Sequence, residues 1–154
     1  MPDPGPKQTE DPSRDPLREV LVPLAEALAE REAEHSEGLA AAWREATHLH
    51  ARVAAAVGAF HAALAERGIV HLRILLGEPR LDDKHVRAVE FDLSRGKTAA
   101  VVSVRSSGEV TLVGPFRIGS KEGPCETVPW SQAGSLDSAL AAFLERFVER
   151  ALAP

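Results

Sequence analysis

Val89-Glu90-Phe91-Asp92-Leu93-Ser94-Arg95-Gly96-Lys97-Thr98-Ala99-Ala100-Val101-Val102-Ser103-Val104 is the stretch on which the fold turns. Val89, Phe91 and Leu93 alternate with Glu90 and Asp92, the period of two that puts one side of a strand into a core. Ser94-Arg95-Gly96-Lys97 then reads as a hairpin turn, with glycine supplying positive φ. Beyond it Ala100, Val102 and Val104 alternate with Val101, Ser103 and Arg105, a second strand of the same design.

Working outward, Ser106-Ser107-Gly108 is a further turn and Val110, Thr111, Leu112 and Val113 a further strand, which Gly114-Pro115 ends. On the other side Val70, Leu72, Ile74 and Leu76 alternate with His71, Arg73 and Leu75, and a polar connection from Gly77 to Lys84 follows. Parallel pairing needs a crossover of about a dozen residues or more, for which these links are too short. A four-stranded antiparallel meander is the expectation. Leu75, Val86, Ala88, Ala99, Val101 and Val113 fall on the opposite side of these strands. A sheet wet on one face carries polar residues there, so the pattern predicts cover on both faces. The helical region would supply one cover, and a closing helix or a second subunit the other.

The chain before the sheet is helical. Leu17, Leu21, Leu24 and Leu28 step by four, three and four, and Leu39, Trp43, Ala46, His50, Val53, Val57, Phe60 and Leu64 keep the same alternation. That is heptad spacing, in which His50 is a polar seam residue able to fix register. Asp15 and Pro16 read as N-cap and first helical residue, and Arg67-Gly68 as the end. Pro23 predicts a kink or break near residues 19 to 23. Around Glu34 to Gly38 the phase slips, so the region is one long helix or a hairpin; Gly38 is the only breaker, which favours one helix. After the sheet, Leu136, Leu140, Phe143, Leu144, Phe147, Val148 and Leu152 form the stripe of a last helix, capped by Ser135. The fold class is therefore α+β: a disordered proline-bearing tail over 1–14, a helical region over 15–68, and over 69–154 an antiparallel sheet with a C-terminal amphipathic helix, the last two forming one domain.

Composition narrows function by exclusion. In 154 residues the net charge is −5, tyrosine is absent and aromatics make up 5%. An acidic chain poor in stacking rings argues against nucleic acid as a partner. One cysteine excludes an internal disulfide, the N-terminus has no signal-peptide pattern, and no apolar run reaches membrane-spanning length. The expected location is cytoplasmic, with no membrane association and no cofactor.

Candidate chemistry is sparse. Gly114 to Gly134 is a long irregular stretch carrying Arg117, Lys121, Cys125 and Trp130, and such stretches are often functional. Arg117 and Lys121 are candidate anion ligands and Cys125 a candidate nucleophile, its thiolate favoured by nearby lysine. Gly114 to Lys121 is not a phosphate-binding loop, because serine precedes lysine and Gly123-Pro124 prevents a helix from starting. Among the six histidines, His48 and His50 point to different sides of a helix; His71 and His85, with Asp82 and Asp83, are the one grouping, and it lacks metal-site spacing. The leading expectation is a non-catalytic interaction or adaptor module that self-associates through its helices, as a homodimer held by a coiled coil. Leu39, Trp43, His50, Val53, Val57, Phe60 and Leu64 are the expected anchors. The alternative is a small-ligand (anion) binding domain or thiol-dependent enzyme using the Gly114 to Gly134 loop.

Overall fold

A computed structural model describes residues 14–82, 87–120 and 123–153 of the chain. The expected disordered tail, apart from Arg14, lies outside the described residues, as do Val86, His85 and Lys121. The architecture is α+β: helix α1 (Pro16–Ala65), strands β1 (Leu75–Leu76), β2 (Arg80–Leu81), β3 (Ala88–Arg95), β4 (Thr98–Arg105), β5 (Glu109–Arg117) and β6 (Cys125–Pro129), and helix α2 (Ala133–Ala151). By contact density the chain divides into two compact units, Met1–Ser36 and Glu37–Pro154. The boundary lies within α1.

Within the first unit, Asp15 is the cap: its carboxylate accepts a hydrogen bond from the Leu17 N–H at 3.0 Å. The helix runs through Pro23 without a break. One proline removes a single backbone bond, and its neighbours hold the turn.

The second unit is a sheet with both helices on one face. The sheet order is β1-β3-β4-β5-β6, with β2 also on β3, and every pairing is antiparallel. Val89, Phe91 and Leu93 of β3, Ala100, Val102 and Val104 of β4, and Val110 and Leu112 of β5 form the inner face. Onto it pack Ala42, Ala46, Leu49, Val53 and Val57 of α1 and Leu136, Leu140, Phe143 and Phe147 of α2. Both helices lie on the inner face, so the closing helix is not the expected cover of the outer one. On the outer face Ala88, Ala99 and Thr111 are buried, while Val101 and Val113 are half-buried among Glu90 and Ser103.

Two further expectations are corrected at the sheet edges. Residues 70 to 74 are not a strand; β1 is confined to Leu75–Leu76, and β2 resumes the pairing on β3 after a one-residue slip in register. This is a bulge, and it leaves Gly77 against the Asp92 side chain, where a Cβ would collide with the carboxylate. The fourth strand does not stop at Gly114-Pro115 but continues as β5 to Arg117 across an irregularity opposite Ala99 and Val101. Gly114 adopts φ 112° there, and the Gly114–Pro115 peptide is cis. The irregular stretch up to Gly134 is shorter than expected, because Cys125–Pro129 adds a sixth strand beside β5.

The turns follow the sequence closely. Gly96 has φ 59° in the two-residue β3–β4 turn, and Gly108 has φ 99° in the β4–β5 turn. Gly68, with φ 76°, closes α1: its N–H donates to Ala65 O and that of Ile69 to Leu64 O, both at 2.9 Å. The helical region is one helix, as a single weak breaker favoured, and Gly38 has a packing role within it. It lies within α1, and a Cβ there would sit 2.8 Å from the Ser106 carbonyl oxygen, so glycine permits the close approach of the helix to the β4–β5 turn. Ser135 is not the cap of α2, whose N-cap position is Gln132, three residues earlier, with no side-chain cap bond.

Candidate functional site

The heptad run places its side chains on the chain's own sheet. Ala46, Val53 and Val57 are buried, and Leu39 and Phe60 are half-buried against the same core. His50 is aimed at the sheet edge: its Nε2 donates to the Gly77 carbonyl at 3.0 Å, and its ring stands edge-on to Phe91 with centroids 5.2 Å apart. The Glu78 carboxylate lies 3.9 Å from the same nitrogen. His50 thus sets the register of α1 against the β1–β2 bulge. Trp43 is 36% exposed on the flank of this face, and Leu64 is half-buried at the helix end.

The earlier leucines are different. Leu17, Leu21, Leu24 and Leu28 are 72, 62, 53 and 60% exposed, and Val20 is 61% exposed beside them. An apolar stripe this long on a solvated helix is uncommon, because an amphipathic helix gains most of its stability by burying such a face. Its signal was present in the sequence as the four-three-four spacing. What the spacing could not convey was that this stripe, unlike the next, is left exposed among the described residues of its own unit.

Around Cys125 the structure assembles a different set from the one anticipated. Cys125 lies on β6, exposed, opposite Val113 of β5. An open groove of about 340 Å³ beside it is lined by Leu112, Pro124, Cys125, Glu126 and Arg146. Arg146 comes from α2, and no sequence spacing marks it. Arg117 is four residues further along β5 from Val113, about 13 Å away at the rise of a strand. It pairs across β4 with Thr98 instead. Lys121 lies outside the described residues. Among the described residues no histidine lines the groove; its one acidic wall is Glu126.

The outer face of the sheet carries a second open groove, of about 300 Å³, floored by Val101, Ser103, Thr111, Val113 and Phe116 and rimmed by Asp82, Glu90 and Arg105. Thr111 and Thr127 join across β5 and β6 through their hydroxyls at 3.1 Å. Arg80 of β2 holds Asp92 and Glu90 of β3, at 3.1 and 3.3 Å. Arg95, one of the basic turn residues, donates to the His71 and Arg73 carbonyls at 3.3 and 3.2 Å and so fastens the segment before β1.

Among the described residues no group of three or more His, Cys, Asp or Glu side chains forms a metal site, and no helix is long and apolar enough to cross a membrane. Comparisons with protein-family models, curated proteins and solved structures give no match.

Proposed function

We propose that the chain is a non-catalytic protein-interaction module that self-associates through its helical region, with the exposed stripe from Leu17 to Leu28 as the contact surface. The observation that carries this reading is the exposure of all four leucines on one helical stripe, each above one half. The later heptad run lies against the sheet of its own unit, so the free apolar surface of the helical region is the earlier one. Burial of such a stripe against a second copy removes it from water, the main favourable term in association. A homodimer joined in this way presents two sheet units, an arrangement suited to an adaptor. A reducing, cytoplasmic setting suits its single unpaired thiol.

Light scattering coupled to size exclusion tests the proposal on the full chain. The wild type is expected to run as a dimer at tens of micromolar, and the double variant Leu21→Glu/Leu24→Glu as a folded monomer. A wild-type monomer at that concentration would reject it.

A second reading, binding of a small anion or thiol chemistry at β6, rests on Cys125 and Arg146 sharing one groove. A Cys125→Ser/Arg146→Ala variant indistinguishable from wild type in anion binding, followed by calorimetry with inorganic phosphate, would remove it.

A further inference from the structure

The leucine stripe also specifies how two copies meet. We infer that residues 17–28 pair with a second copy of this chain in antiparallel orientation, with Leu17 level with the second copy's Leu28, and Leu21 level with its Leu24. The inference rests on the self-association reading above and adds orientation and register to it.

The first argument is self-complementarity. In heptad terms Leu21 and Leu28 hold one seam position and Leu17 and Leu24 the other. In an antiparallel pair the two seam positions face each other. One register brings all four leucines of each copy into four consecutive leucine layers, with none facing a polar residue. The stripe ends where it must for such a closed patch, because the next two seam positions are Arg31 and His35. Pro23 lies off the seam, so its missing N–H and its ring do not enter the contact. The arrangement is isologous, each copy offering the same patch, and closes at two copies.

Charge decides between orientations, since parallel pairing also aligns the leucines. Residues 26–34 carry Glu26, Glu30, Glu32 and Glu34 against Arg31 alone. Parallel pairing sets Glu32 and Glu34, which flank the seam, level with their own copies and aligns the two helix dipoles. In the antiparallel register Arg18 falls level with residue 27 of the second copy, between its Glu26 and Glu30, while Arg14 falls level with Arg31 and gains nothing. The positive N-terminal pole of each helix then lies near the carboxylates of the other.

The area is adequate and small. Leucines more than half exposed, together with Val20, offer about 500 Å² per copy, or about 1,000 Å² for the pair, the lower limit for a specific interface. A dimer of this size dissociates on dilution.

Disulfide trapping in the full chain tests the register, with Cys125→Ser as background because Cys125 is itself exposed. Leu17→Cys and Leu28→Cys are made separately, one of them tagged, and oxidised alone and mixed. The expected result is a mixed cross-link between the two variants at least tenfold more abundant than either self-linked species. In the antiparallel register two copies of residue 17 are offset by eleven residues, about 16 Å along the axis, beyond the reach of a disulfide. Self-linked Leu17→Cys in preference to the mixed species overturns the antiparallel register in favour of a parallel one. A light-scattering dimer that gives no cross-link in any mixture overturns the register while leaving self-association standing. A monomer by light scattering rejects the self-association reading itself.

Discussion

The imidazole of His61 accepts a hydrogen bond at its Nε2 from the backbone N–H of Ile74, at 2.9 Å. One turn from the end of α1, a side chain thus satisfies the amide of a buried residue that no strand ladder reaches. The bond requires an unprotonated Nε2, so the neutral ring carries its proton on Nδ1. Desolvation by burial, and the Arg73 guanidinium, both hold the His61 pKa below its ordinary value of 6.5.

The sign of the pH dependence follows. Because the unfolded chain binds a proton at His61 near pH 6.5 and the folded chain only at lower pH, the contribution of His61 to stability is complete above 6.5. It declines as pH falls from there through the lowered folded pKa. Thermal melts from pH 7.5 to 5 are expected to show Tm falling more steeply for wild type than for His61→Gln, whose amide oxygen accepts the same bond at every pH. Parallel curves for the two proteins would refute the assignment.

Gly38→Ala is expected to destabilise the protein, although alanine at an ordinary helical position stabilises by about 1 kcal/mol relative to glycine. The added carbon meets the Ser106 carbonyl oxygen at 2.8 Å, and backbone on both sides has to move. A net loss of about 1–3 kcal/mol is the scale for overpacking. Urea denaturation of the variant beside Gly58→Ala, where a Cβ meets nothing within 4 Å, separates the two effects.

Phe91 lies at the centre of the inner face, fully buried and edge-on to His50. Phe91→Ala is expected to cost about 3–5 kcal/mol, from lost transfer energy and the cavity left behind. His50→Ala in the same background is expected to be less than additive, since the two rings touch.

Arg52 and Asp137 bridge α1 and α2 at 2.7 Å with both side chains about half exposed. A double-mutant cycle with alanine is expected to return a coupling of about 0.2–1 kcal/mol that shrinks in high salt. A larger, salt-insensitive coupling would show the pair to be less solvated than its exposure indicates.

Much of this was legible in order of residues alone. The alternation in Val89 to Val104, the turns at Gly96 and Gly108, the Asp15-Pro16 start and the Gly68 end are local consequences of side-chain period and backbone freedom. They need no knowledge of distant contacts. The strand at Cys125–Pro129 escaped because its residues alternate weakly and only the neighbouring β5 gives them a ladder.

What a heptad stripe faces is another matter. Residues 17–28 and 39–64 have the same spacing, yet the second packs on a sheet and the first stays exposed. Periodicity records that one side of a helix is apolar; the surface that receives it is set by chain elements far away in sequence. The same holds for Gly38, which reads as a helix breaker until Ser106 is seen against it, and for Arg146, brought to Cys125 by the docking of α2 on the sheet. The sequence by itself determined the two helices, the strands β3, β4 and β5 with their glycine turns, and the apolar sides of each, because those depend on interactions within a few residues. Tertiary structure decided which apolar side is satisfied and which is left free, because burial is a property of pairs of surfaces.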